Sequence, residues 1–173
     1  MNENHTPYQC AVLTVSDRSS QGQRRDTSGP ALCELLADHG FRIGEKGLVP
    51  DEITAIQRVL IDWADHRGID LIITTGGTGL SPRDVTPEAT RPLLDLEIPG
   101  ISETMRLANI GKTINALLSR GLAGTRKKSL IINLPGSEKA ATENLLAVIE
   151  VLPHALYKLQ GGTADCGGER SEE

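Results

Sequence analysis

A chain of 173 residues, 38% hydrophobic and 24% charged, has room for one domain with a sizeable core and is short for two. Aromatics make up 2% and the formal net charge is -5, which removes both the base-stacking platform and the broad basic field that nucleic-acid binders need. Cys10, Cys33 and Cys166 are odd in number and widely spaced, with no Cys-x-x-Cys and no nearby His at ligand spacing, which argues against a structural zinc site or a disulfide framework. The opening MNENHTPYQC has no signal-peptide pattern and no apolar run approaches a membrane span, so the expected setting is a reducing cytoplasm.

In chain order, CAVLTVS (residues 10–16) reads as a buried strand, followed by a polar loop from Asp17 to Asp26. Thr27-Ser28-Gly29-Pro30 opens a helix, with Pro30 suited to its first turn and Gly40 to its stop. Phe41 to Val49 suits a second strand. Asp51 stands where an N-cap belongs, and Ile53, Ile56, Val59, Leu60 and Trp63 recur at helical spacing up to Gly68. Ile69 to Thr75 is a continuous β-rich run, as in a strand covered on both faces. Thr86-Pro87-Glu88 predicts an N-cap, a proline at the first helical position and an early acid. Ile98-Pro99-Gly100 breaks the chain again before a short helix through about Ala108. Leu117 to Arg126 and Ser129 to Leu134 predict two strands joined by a basic turn. Pro135-Gly136-Ser137 starts the last helix, with Leu145, Leu146, Ile149, Leu152, Leu156 and Leu159 along one side and a kink at Pro153. Residues 1–9 are expected to be flexible, 10–162 to form one domain and 163–173 to be a disordered acidic tail. The alternation predicts a three-layer α/β/α sandwich with a mostly parallel central sheet.

Ligands of such sheets bind where loops leave the carboxyl ends of the strands. Three loops there share a character: Val15-Ser16-Asp17-Arg18-Ser19, Thr75-Gly76-Gly77-Thr78-Gly79 and Leu134-Pro135-Gly136-Ser137. Small residues leave backbone N–H groups open to an anion. The glycine loop lacks the Gly-Lys-Ser/Thr ending of a Walker loop, and Pro82 stands where a dinucleotide fold needs its third glycine. Read alone, it is equally a turn at the end of a strand. Arg83 suits bidentate phosphate recognition. Asp84 beside it suits Mg²⁺ held between carboxylate and phosphate, or else a pairing with Arg83 or a helix cap. Asp51 reads first as a cap, Ser119-Arg120 as part of a strand, and Arg126-Lys127-Lys128 as a solvated turn. No histidine stands near Cys or Ser in a catalytic pattern.

The run TTGGTGLSPRDVTPEAT, residues 74–90, resembles the signature of the molybdenum-cofactor biosynthesis fold shared by the Mog and MoaB proteins, a plant G domain and the gephyrin G domain. The likeness extends from about Val12 to Gly162 and includes LTVSD, DTSGPAL, LVPDE, IPGISETMR, ALLSRGLAGTR and LIINLPGS in family order. The DTSGPAL, VPDE and PRD elements are most similar to the molybdopterin adenylyltransferase branch. The resemblance implies transfer of AMP from MgATP to the terminal phosphate of molybdopterin, with release of pyrophosphate. It implies Asp51 and Asp84 as the two essential, magnesium-holding aspartates and Ser119 as a molybdopterin residue. It places the substrates across Ser16, Asp17, Gly76, Gly77, Thr78, Gly79 and Arg83, with Arg120, Pro135, Gly136 and Ser137 completing the set. A homotrimer and a downstream molybdenum-inserting partner follow from the same likeness. Members commonly read LPG-x-P, whereas Ser137 is followed here by Glu138. A MoaB-like paralogue or a scaffold that binds without transferring AMP are the alternatives.

Overall fold

The computed structural model describes residues 7–163. Strands β1 (Gln9–Val15), β2 (Arg42–Val49), β3 (Leu71–Thr75), β4 (Leu96–Glu97), β5 (Ala123–Arg126) and β6 (Ser129–Leu134) form one sheet in the order β2-β1-β3-β6-β5-β4. The first four in that order run parallel, and β5 and β4 are antiparallel additions at one edge. The helices are α1 (Asp17–Ser20), α2 (Ser28–Asp38), α3 (Ile53–Ile61), α4 (Thr86–Thr90), α5 (Pro99–Ile110), α6 (Glu138–Leu146) and α7 (Leu152–Leu159). None of the helices among the described residues is long and apolar enough to cross a membrane.

Alternation along the strands divides the core in two. Cys10, Val12, Leu71, Ile73, Leu130 and Ile132 face α2, α5, α6 and α7. Ala11, Leu13, Ile72 and Ile131 face Ile56 and Leu60 of α3 and Ala89 of α4. β3 and β6 are buried on both faces, which is why they read as unbroken apolar runs. Leucine and isoleucine are more than half of these buried apolar residues, at about 1.5–3 kcal/mol per fully buried side chain. Cys10 and Cys33 are buried free thiols, and burial pushes the Cys10 thiol up to about 12.

Several elements differ from expectation. Residues 17–20 form a helical turn instead of loop, because Ser16 caps it by accepting from Ser19 N at 3.2 Å. Neither expected cap at Asp51 or Thr86 forms: the residues before α3 and α4 are Glu52 and Val85, and neither caps with its side chain. After Ile61 the α3 helix widens into a π turn, Asp62–His66. The first strand of the expected pair shrinks to β5, and a 3₁₀ turn occupies Ile114–Leu118, so Ser119 and Arg120 lie in the connection between them. Pro153 breaks the last helix instead of kinking it: it sits in the first turn of α7, after a 3₁₀ turn at Ile149–Val151. A proline there loses no helical hydrogen bond. Gln9 opens β1, with its N–H on Asp70 at 2.7 Å. Most of the expected flexible N-terminus and nearly all of the expected acidic tail fall outside the described residues.

The parallel register brings four strand ends to one edge. Val15 pairs with Val49, Thr14 with Thr75, and Thr75 with Leu134. From β1 the chain goes to β2 on one side and β3 to the other, so the strand order reverses between the loops after β1 and β3. A crevice opens at such a switch.

Candidate functional site

The glycine loop is held open by its neighbours. Gly76 has φ 111 and Gly77 φ 62, where glycine carries no steric penalty. Space forbids a side chain as well: a Cβ on Gly76 would strike the Val15 carbonyl, and one on Gly77 would stand 3.0 Å from Asp51 Oδ1. Gly76 N–H donates to Leu134 O at 3.1 Å, and Thr86 Oγ1 donates to Gly76 O at 2.8 Å. Thr86 is thus a strut for the loop. Among the described residues, the N–H groups of Gly77, Thr78 and Gly79 have no protein acceptor. Those three amides, and not that of Gly76, are the ones available to an anion.

Three carboxylates gather around this loop. Asp17 and Asp51 clasp each other: Asp17 N donates to Asp51 Oδ2 at 2.7 Å, and Asp51 N donates to Asp17 Oδ1 at 3.0 Å. Arg83 closes the far side of Asp17 with a two-pronged contact, Nε to Oδ2 at 2.9 Å and Nη2 to Oδ1 at 2.8 Å. These hydrogen bonds hold the Asp17 carboxyl below the ordinary range. Burial pushes Asp51 above it, with the charges of Asp17 and Asp84 adding to the rise and the Asp17 amide and Arg83 opposing it. Asp84 Oδ2 accepts from Ser81 N at 2.8 Å, closing the turn that carries it.

Asp51 and Asp84 each keep Oδ1 free of hydrogen bonds. Among the described residues, no group of three or more His, Cys, Asp or Glu side chains is arranged to hold a metal unaided. Two hard carboxylate oxygens that need phosphate oxygens to complete a shell fit Mg²⁺, which is bound in this shared way.

Two cavities meet at these groups. A larger lobe of about 550 Å³ is lined by Thr78, Gly79, Asn109, Ser119 and Asn144 among others. A smaller one of about 230 Å³ is lined by Ser16, Ser19, Arg24, Arg25, Ser28 and Asp51 among others. Gly77, Asp84 and Gly136 line both. The side chains of Arg24 and Arg25 are exposed and make no ion pair or hydrogen bond with the described residues. A third hollow of about 990 Å³, bounded by Arg91, Arg106 and Leu122, contains neither aspartate.

The family described as "Probable molybdopterin binding domain" matches residues 11–154. The chain belongs to this family. It is 42% identical over 152 residues to a molybdopterin adenylyltransferase of Helicobacter pylori, covering 87% of this chain and 86% of that one. It is 48% identical over 147 residues to the molybdenum cofactor synthesis protein cinnamon of Drosophila melanogaster, covering 84% of this chain but 24% of that longer protein. Among solved structures, the molybdopterin biosynthesis enzyme MoaB of Thermus thermophilus superposes with a TM-score of 0.85 at 55% identity, over 89% of this chain and 97% of that one.

The molybdopterin-binding fold brings most of the expected residues together. Ser16, Asp51, Gly76, Gly77, Thr78, Gly79, Asp84, Ser119, Pro135, Gly136 and Ser137 all line one lobe or the other. Ser119 Oγ accepts from Gly121 N at 3.4 Å, while Ser137 caps α6 through Ala140 N at 3.2 Å. Three expected ligands make contacts to the protein itself. Asp17 and Arg83 orient Asp51, and neither lines a lobe. Arg120 braces the loop from beneath, with Nε on Gly79 O at 2.7 Å, Nη2 on Asp84 O at 2.6 Å and Nη1 on Glu88. Glu138 is exposed in the first turn of α6, where an acid complements the helix dipole, and lines neither lobe. Arg24 and Arg25 were not expected at the site, although a paired Arg-Arg in the polar loop that follows residues 15–19 was a visible signal.

Proposed function

We infer that this chain transfers AMP from ATP to the terminal phosphate of molybdopterin. The observation that carries the reading is the junction of two lobes at Gly77, Asp84 and Gly136, with the Asp51 carboxylate beside it. The larger lobe, lined by Asn109, Asn115 and Asn144 with the carboxylates of Asp84 and Glu143, suits the pterin, and Ser119 lies on its wall. The smaller lobe, with Arg24 and Arg25, suits the phosphate chain of the nucleotide.

A phosphate oxygen of molybdopterin attacks the α-phosphorus; the bond from that phosphorus to the bridging oxygen breaks, and pyrophosphate leaves with the electron pair. The attacking oxygen is already ionised, so no protein nucleophile or base is required. The work of the chain is to position two polyanions and offset their charge. The amides of Gly77, Thr78 and Gly79 orient phosphate oxygens at the junction. Asp51 and Asp84 would hold Mg²⁺, which supplies charge neutralisation to the transferring group. Arg83, through Asp17, keeps Asp51 turned toward the junction.

The same reading includes a homotrimer acting in the cytoplasm and passing its product to a molybdenum-inserting partner. The exposed Leu80, Leu96, Leu107 and Ile114 offer apolar surface for association. A second reading rests on the 55% identity to a structure called MoaB: a paralogue that binds pterin without transferring AMP. Both aspartates with free oxygens favour transfer. Incubation with molybdopterin and ATP labelled at the α-phosphate separates the two. Label on the pterin with release of unlabelled pyrophosphate is expected; pterin binding with no transfer would support the paralogue.

A further inference from the structure

Two buried side-chain atoms among the described residues lack any hydrogen-bond partner, Asn109 Oδ1 and Asn133 Oδ1. Asn133 is enclosed in the sheet, its Nδ2 donating to Thr74 and Thr90, and it lines none of the cavities described above. Asn109 differs. It stands near the end of α5, is 3% exposed, and lines the larger lobe. Its Nδ2 donates to Met105 O at 2.9 Å. That bond settles which end of the amide is spoken for, and leaves the buried oxygen of a lobe-lining residue with nothing to accept. A buried acceptor without a donor destabilises a fold, so a native protein that keeps one has a reason elsewhere.

We propose that Asn109 Oδ1 accepts a hydrogen bond from the N–H edge of the pterin ring and so selects the heterocycle that enters the larger lobe. This rests on the reading that molybdopterin occupies that lobe. The 2-amino-4-oxo edge of a pterin offers adjacent N–H donors, at N3 and at the amino group, to a single well-placed acceptor. The rest of the wall fits a heterocycle with N–H donors: Thr113, Asn115, Ser119 and Asn144 are polar, Glu143 is a carboxylate held 3.4 Å from Lys112 Nζ, Asp84 stands at the junction with the smaller lobe, and Leu118 and Pro135 supply apolar contact. Asn109 does not line the smaller lobe that holds Arg24, Arg25 and Asp51. Its contribution therefore belongs to the pterin and not to the nucleotide. A site built to hydrogen-bond a substrate N–H rejects rings that lack it.

The test is Asn109→Leu, which removes the lone acceptor at similar volume, beside Asn109→Ala, which removes it without overpacking. Each is followed by thermal melts and by separate titrations with molybdopterin and with ATP. The expected result for Asn109→Leu is a melting temperature equal to or above that of the wild type, with molybdopterin affinity reduced roughly tenfold or more and ATP affinity unchanged. For Asn109→Ala the same selective loss of molybdopterin affinity is expected. Equal loss of both affinities, unchanged molybdopterin affinity, or failure of both variants to fold would overturn the proposal by making Asn109 a structural residue. If the wild type binds ATP but not molybdopterin, the adenylyl-transfer reading fails with it. If the wild type adenylylates molybdopterin and the variants do so equally well at limiting pterin, only the role of Asn109 is lost.

Discussion

Arg83 spends its guanidinium on Asp17, and this changes what its removal should do. As a phosphate ligand, its loss would raise the KM for ATP and leave the pH profile in place. As the anchor of the clasp, its loss acts through Asp51, whose carboxyl is pushed up chiefly by burial and drawn back down in part by Arg83. Arg83→Gln should therefore raise Asp51 further, and the acid limb of the turnover profile should move to higher pH because ionised Asp51 is needed. The stability effect has the opposite pH sense. The folded-state value of Asp17 lies below its ordinary 3.8, so its contribution is complete above 3.8 and is lost as pH falls through the lower folded value. Melting curves of variant and wild type should thus differ at neutral pH and converge in strong acid. The difference should be small, because the pair is partly exposed. An unshifted acid limb with a raised KM would return Arg83 to the phosphates.

At the scale of elements, the connection between α1 and α2 carries Arg24 and Arg25 into the smaller lobe with no partner of their own. If they receive the β- and γ-phosphates, the Arg24→Ala/Arg25→Ala double variant should weaken ATP binding by roughly tenfold or more while AMP binding is spared; parallel loss of both nucleotides in calorimetry would refute it. What was legible in the sequence follows from how local each signal is. β1, β3 and β6 show themselves because they are buried on nearly every residue, and Gly40 marks the end of α2 because only the backbone there, at φ 82, is in question. The clasp was not legible. Asp51 looks like a cap since its neighbours begin a helix, yet the amide it accepts belongs to Asp17, 34 residues away. Arg120 deceived in the same way: its three partners, Gly79, Asp84 and Glu88, lie on the glycine loop and α4, which only the fold brings near. β4 is two residues long, and no periodicity can announce that.

For the molecule as a whole, the exposed Leu96, Leu107 and Ile114, each about two-thirds open to solvent, are apolar side chains that the proposed trimer would cover. Light scattering after size exclusion should give the mass of three chains, and a monomer that stays so at high concentration would contradict the trimer. On the proposed function, the fold joins a pterin lobe to a phosphate lobe so that Asp84 at their junction and Asp51 beside it drive AMP transfer. Single-turnover adenylylation of molybdopterin by wild type and Asp84→Asn, across a Mg²⁺ titration, tests it most directly. Asparagine keeps the size of the side chain and an acceptor for Ser81 N, and removes only the charge that a hard cation requires. Magnesium-dependent product is expected from the wild type and none from Asp84→Asn, with melting temperature and pterin affinity preserved in the variant. Wild-type turnover by Asp84→Asn at saturating Mg²⁺ would contradict it.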